Sequence, residues 1–288
     1  MRAKEVLMEK VFLICACTSI LFILIICGFL VFGGVPAMSE IGFGNFLLGS
    51  NWTPMNIPQN FGLFPMIIAS IYVTIGAFII GVPIGIFTAV FLAYICPKSL
   101  YKLLKPAVNL LAGIPSVVYG FFGMVVIVPF VRNISLGLTG GGTGASILSA
   151  SLLLGIMILP TVVAISEASL KAVPDNYYEG ALALGASHVR AVFYVLIPAA
   201  KSGILSSVIL GIGRAIGETM AVVMVVGNQA LIPTSILQGA RPLTSNIVLE
   251  MAYATGLHRD ALIATGVVLL VFILTLNIIF NVATRKRA

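Results

Sequence analysis

The chain has 288 residues, of which 60% are hydrophobic and only 9% charged, with a mean hydropathy of +1.15 and a formal net charge of +7. Soluble domains carry roughly a quarter charged residues because polar surface must cover the core. A globular protein in water is therefore excluded and lipid is the solvent, and the basic balance reads as a membrane-topology signal rather than as nucleic-acid binding.

Six apolar runs are long enough to cross a bilayer as helices: 11–32, 64–95, 107–131, 147–166, 203–226 and 260–282. The first exceeds the apolar core of a cleavable signal and has no small-residue cleavage site after it. It holds Cys15, Cys17 and Cys27, which, with Cys96 at a later helix end, read as small packing residues, since no spacing suits zinc or a disulfide framework. The segment 33–60 contains no lysine or arginine and carries Trp52, expected as an interfacial anchor. The second run would measure about 48 Å as a straight helix against roughly 30 Å of hydrocarbon. Pro65, Pro83, Gly76, Gly81 and Gly85 offer places to kink it.

The third run contains "LLAGIPSVVYGFFG", in which Gly113, Pro115, Ser116, Tyr119 and Gly120 crowd together. Two readings stand: an interrupted helix lining a cavity, or a proline kink with small residues for packing. "LTGGGTGAS" at 138–146 lacks the Gly-Lys-Ser/Thr ending of a phosphate loop and is expected as a turn. After the fourth run comes "VPDNYYEGALALGASHVRAVFYVLIPAAKSG", residues 173–203. Pro174 suits a first helical turn, Asp175 and Glu179 complement a helix N-terminus, and Gly185 and Pro198 break it. This short helix is too neutral for a membrane-surface anchor, so a protein partner is expected.

The fifth run reads "GIGRAIGETMAVV" and places Arg214 and Glu218 about one helical turn apart inside the bilayer, with Gly213 and Gly217 allowing close approach of another helix. The half-apolar segment 228–258 includes "PLTSNIVLEMAYATG", expected as a short helix capped by Thr244 or Ser245 and ended by Gly256. With six spans, Arg2, Lys4, Lys10, Lys98, Lys102, Lys105, Lys171, Arg190, Lys201, Arg285, Lys286 and Arg287 share one side, and Arg132, Arg241 and Arg259 the other. Both termini are thus expected in the cytoplasm.

Glu179, Gly180, Ala181, Gly185, Val195, Ile197 and Pro198 resemble the Glu-Ala-Ala loop of ATP-binding-cassette importer permeases, with mild departures at Gly180, Val195 and Ile197. Within that family, "LLAGIPSVVYGFFG" and "GIGRAIGETMAVVMVVGN" resemble the permeases of the phosphate importer, the second pointing to the PstC type. The resemblance covers Pro65 to the end and implies an all-α integral membrane protein with six transmembrane helices, like a type I importer permease. It divides into an amino-terminal helix and outer loop (1–63) and a permease domain (64–288). Implied partners are a cytoplasmic ATPase dimer, a second permease of the PstA type and an extracytoplasmic phosphate-binding protein, in the inner membrane of a prokaryote. The chain shows no Walker sequence of its own, so ATP hydrolysis is expected on the separate ATPase, and this chain is expected to be a transport subunit, not an enzyme, with no cofactor.

The resemblance also makes Glu179, Gly180, Ala181, Gly185 and Pro198 the expected ATPase contact. Arg214, Glu218, Thr219, Ser116 and Tyr119 are expected along the translocation path of inorganic phosphate. There Arg214 would attract the dianion, Glu218 would hold the guanidinium or accept a proton-bearing phosphate oxygen, and Thr219 would add a hydroxyl. A permease for sulfate, molybdate or tungstate, a secondary transporter without an ATPase, and a membrane-embedded enzyme are the competing classes. The last lacks His-Glu-x-x-His, Gly-x-Ser-x-Gly and paired-aspartate motifs, and the two histidines, His188 and His258, are expected at surfaces or interfaces.

Overall fold

The protein is described here as a computed structural model covering residues 2–285. Lys286 and Arg287, part of the expected cytoplasmic positive set, lie outside the described residues, as do the side chains of Arg2, Lys4 and Arg285.

Helix α1 (Arg2–Ile41) is followed by α2 (Phe43–Leu48) and a small hairpin of β1 (Trp52–Thr53) and β2 (Asn60–Phe61), with Trp52 opposite Phe61. Helix α3 (Phe64–Val90) continues into a π-helical turn, Phe91–Ile95, and the chain then enters α4 (Lys98–Gly113). Helix α5 (Ser116–Phe122), a second π turn (Gly123–Ile127) and α6 (Val128–Thr139) form one rising segment. Helix α7 (Ile147–Lys171) returns to α8 (Asp175–Ala183), and α9 (His188–Ala191), a third π turn (Val192–Leu196) and α10 (Ile197–Ala199) follow. Helices α11 (Lys201–Gly217) and α12 (Met220–Val225), then α13 (Leu243–Glu250) and α14 (Leu257–Arg285), complete the chain.

Five segments are long and apolar enough to cross a membrane: Leu7–Ile41, Phe64–Ile95, Ser116–Leu138, Ile147–Lys171 and Leu257–Ile279. The pair His188–Ala199 and Lys201–Gly217, bent by 69°, forms a sixth if taken as one broken span. The chain is a multi-pass membrane protein.

The centre is α7, packed between α3 and α11. Leu153, Leu154, Ile158, Ala77, Val208, Ile212 and Ala215 fill it. Close approach is allowed by missing side chains: a Cβ on Gly81 would stand 2.6 Å from the Gly155 carbonyl oxygen and 2.7 Å from Ile158. Helix α1 lies along α14, and the rest of its surface, from Leu7 to Phe32, is open. Tyr94 donates to the Leu170 carbonyl at 2.6 Å, joining the ends of the second and fourth spans beside α8. At the opposite end the Ser146 amide donates to the Val225 carbonyl. These two ends are called the α8 end and the Trp52 end.

Several expectations are corrected. The third span begins at Ser116 rather than 107, because Pro115 forces Ile114 out of the helical region (φ −70°, ψ 126°) and leaves α4 as a separate helix. The fifth run, 203–226, is no continuous helix but breaks at Glu218–Thr219. The helix in the outer segment is capped at Pro242, not Thr244 or Ser245, and ends at Glu250, well before Gly256. Cys15 and Cys17 lie on the open face of α1 instead of in packing.

Trp52 and His258 do not lie at the surface of the chain. Both are buried around Glu250, whose carboxylate accepts from Trp52 Nε1 at 2.8 Å, is paired with His258 Nε2 at 2.8 Å and accepts from Arg241 Nη1 at 2.7 Å. A specific tertiary hydrogen bond decided the position of Trp52, where the sequence rule for tryptophans describes only an average preference.

Candidate functional site

Two helix interruptions open onto helices that pack on each other, one just before the third span and one just after α11. In the first, α4 ends at Gly113, Ile114 and Pro115 are extended, and α5 restarts at Ser116. Breaking a helix frees carbonyls. Tyr119, itself buried, returns its hydroxyl to the Leu111 carbonyl at 2.9 Å. In the second, α11 ends at Gly217 and Glu218 is extended (φ −71°, ψ 129°). Glu218 Oε1 accepts from the Ala221 amide at 3.2 Å, so the carboxylate meets one of the free donors that open α12. Thr219 Oγ1 donates to the Gly217 carbonyl at 3.2 Å, and Thr244 Oγ1 to the Glu218 carbonyl at 3.3 Å.

Helix α5 packs on α12, with Gly120 against Ala221 and Met224. Glu218 sits half-buried in a narrow cleft that includes Ser70, Thr74, Pro242 and Thr244. The break also changes the geometry of the Arg214 and Glu218 pair. They do not share one helix, and no ion pair joins them. Arg214 is exposed and makes no ion pair among the described residues. Around it, Gly213 and Gly217 face open space, as does Gly113 at the first break. Ser116 is half-buried at the start of α5. An unpaired guanidinium within a membrane segment is costly, about 2.5–3.5 kcal/mol at a helix centre, unless it faces water or a partner.

The second candidate region is the loop around α8. Pro174 precedes the helix at its cap, Asp175 occupies its first turn, and the chain leaves it through Gly185 at φ +83°, a conformation that favours glycine. No residue of α8 is buried. Glu179, Gly180 and Gly185 are exposed, Ala181 is half-buried, and Pro198 is exposed on α10. Leu184 is 92% exposed and Tyr194 77%, so the loop presents apolar side chains with nothing of this chain over them. Ser187 caps α9, and Tyr178 shares a 2.8 Å hydrogen bond with His188 Nδ1 that closes the loop on itself.

Two polar clusters escaped the reading of the sequence. One is centred on Glu250, described above; Trp52 and Glu250 are 198 positions apart, so no local signal links them. The other is centred on Glu167 in α7, which is 2% exposed and paired with Lys105 at 2.6 Å and Lys171 at 2.7 Å. A signal existed, an acid inside an apolar run with a lysine four residues on, but the expected span stopped at residue 166. Among the described residues no group of three or more histidine, cysteine or acidic side chains could hold a metal.

A multi-pass helical bundle with paired helix breaks and an exposed loop helix at one end has the architecture of importer permeases. The chain shares this fold with the bacterial alginate transporter solved in complex with an alginate-bound periplasmic protein (TM-score 0.69, 16% identity, 98% of this chain and 96% of that one). It shares it also with the inward-facing MetNI methionine transporter (TM-score 0.59, 21% identity, 76% and 93%). The chain belongs to the family of binding-protein-dependent transport system inner membrane components, whose model matches residues 81–287. It is 40% identical to the probable ABC transporter permease protein YqgH of Bacillus subtilis, over 84% of this chain and 78% of that protein. Identity is 36% to the phosphate transport system permease protein PstC of Mesorhizobium japonicum (83% and 77%) and 33% to PstC of Pasteurella multocida (83% and 79%).

Proposed function

We propose that the chain is the PstC-type permease subunit of an ATP-driven phosphate importer and provides half of the translocation path. The observation that carries this reading is the unpaired Arg214 beside two helix breaks, on an open glycine-lined face, in a chain similar to phosphate permeases. A second permease of the PstA type covers that face, and the enclosed space receives phosphate. Arg214 attracts the dianion transiently. Glu218 accepts a proton-bearing phosphate oxygen, which sulfate lacks near neutral pH, so the carboxylate repels sulfate. Thr219 and Ser116 contribute hydroxyls beside the breaks, and Tyr119 holds the first break in shape.

The α8 end is the cytoplasmic one, with both termini, as the lysine and arginine asymmetry supports. There an ATPase dimer seats on Glu179, Gly180, Ala181 and Leu184, with Gly185 and Pro198 shaping the loop. Nucleotide binding favours one state of the permease only through contacts that differ between states, and α8 is where such contacts are made. A phosphate-binding protein delivers its cargo at the Trp52 end. This chain supplies no catalytic group.

The test is purification with bound partners, reconstitution into liposomes and ATP-dependent phosphate uptake with sulfate as competitor. Arg214→Gln and Glu218→Gln should each assemble and lose most uptake, and Glu218→Gln should admit sulfate better. Parental phosphate uptake by both assembled variants would sink the assignment of the path.

A further inference from the structure

Helix α4 has no buried residue, so little apolar packing holds it. What ties it to the bundle is polar. The Glu167 carboxylate accepts from Tyr101 at 2.8 Å and from Lys171 at 2.7 Å on one oxygen, and from Lys105 at 2.6 Å on the other. Tyr101 and Lys105 belong to α4, whereas Lys171 is the last residue of α7. Lys171 also donates to the Tyr101 hydroxyl at 2.9 Å and stands 4.2 Å from the centre of its ring. One carboxylate of α7 thus holds α4 through two directed bonds, from Tyr101 and Lys105, and Lys171 of its own helix adds a third contact across to Tyr101.

Both ends of this junction lead to the regions already described. Lys171 lies four residues before Asp175, the first residue of α8. Helix α4 runs from the junction to the break at Ile114–Pro115, where Tyr119 holds the Leu111 carbonyl. An apolar contact can slide; a charged network with fixed donors resists sliding and rotation. A carboxylate this deeply buried is costly unless fully paired, and here two ammonium groups and a hydroxyl surround it.

We propose that Glu167 is a positioning residue that locks α4 to the stem of α8, so that displacement of α8 is carried through α4 to the break at Ile114–Pro115. The proposal rests on the reading of α8 as the ATPase contact. Glu167 touches neither phosphate nor ATPase; it determines whether their movements are joined.

The test separates this role from neutralisation of a buried charge. In the reconstituted complex, Glu167→Gln and Lys105→Met each lower phosphate moved per ATP hydrolysed by about tenfold. The double variant, Lys105→Met with Glu167→Gln, removes the buried Lys105–Glu167 pair together, and Lys171, whose side chain is 43% exposed, is left to water. If the junction transmits motion, the double variant assembles, hydrolyses ATP at the basal rate and stays as uncoupled as either single change. Parental coupling in the double variant would overturn the proposal. Gly185→Trp serves as the control for the underlying reading. If Gly185→Trp uncouples the complex while the double variant does not, the junction alone is refuted; if Gly185→Trp leaves coupling intact, the reading of α8 falls and takes the junction with it.

Discussion

Glu250→Gln tests what holds the Trp52 end together. The carboxylate takes two donors on Oε2, from Trp52 and His258, and one on Oε1, from Arg241. A carboxamide offers one oxygen and one NH2 group, so at least one donor must face another donor. With the NH2 toward Arg241, a charge-assisted bond worth about 1.5–3 kcal/mol is lost and the guanidinium keeps only Asn228 and Asn246. With the NH2 toward Oε2, the Trp52 N–H is orphaned in a buried site, at about 1–3 kcal/mol, and the attraction to Arg241 still disappears. Either arrangement costs about 3 kcal/mol. On the scaling for domains of similar size, that lowers the thermal midpoint by about 6–12 °C. The assay is thermal unfolding of the purified protein in detergent. Trp52→Phe, which loses one bond but keeps the ring against Phe61, should cost about 1 kcal/mol. A midpoint for Glu250→Gln within about 2 °C of the parent would refute the reasoning.

Gly81→Ala should destabilise the bundle by about 1–3 kcal/mol, because its methyl group would stand against the Gly155 carbonyl and Ile158; unchanged thermal unfolding would show that α3 and α7 separate freely. Tyr119→Phe should cost about 1 kcal/mol by leaving the Leu111 carbonyl short of its best donor, read by the same melts. In a cysteine-free background, His188→Cys should react with a membrane-impermeant thiol reagent only from inside the cell and Ile57→Cys only from outside. Reversed labelling would overturn the topology.

The spans were legible because lipid imposes a simple demand, long apolar runs that satisfy their own backbone; five of them appear, with the end of the first and the start of the third displaced by nine residues. The break at Ile114–Pro115 was legible only as one of two readings: proline acts locally on the residue before it, but the same residues also read as a kink within a span from 107. The break at Glu218 was not legible. Residues 211–223 contain no proline, and the turn there depends on Thr244, 25 positions beyond Thr219, donating to the Glu218 carbonyl. Reading the run as one helix set Arg214 and Glu218 a turn apart, which the fold undoes. The exposed loop at α8 was legible from Pro174, Gly185 and Pro198. The Glu250 cluster draws Trp52, Arg241 and His258 from separate segments, and hydropathy carries no record of such convergence.

The π-helical turns at Gly123–Ile127 and Val192–Leu196, each with helix on both sides, give the chain an unusual tolerance. In an ordinary transmembrane helix, deleting one residue rotates everything beyond it by about 100° and turns the buried stripe toward lipid. Each of these turns already holds one residue more than an α turn needs, closing its ring with bonds such as Val128 N–H to the Gly123 carbonyl. Removing a residue inside such a turn tightens it to α geometry and leaves the flanking segments nearly in phase. Length variation in this chain is therefore absorbed most readily at these two points inside helices, and not only in its loops.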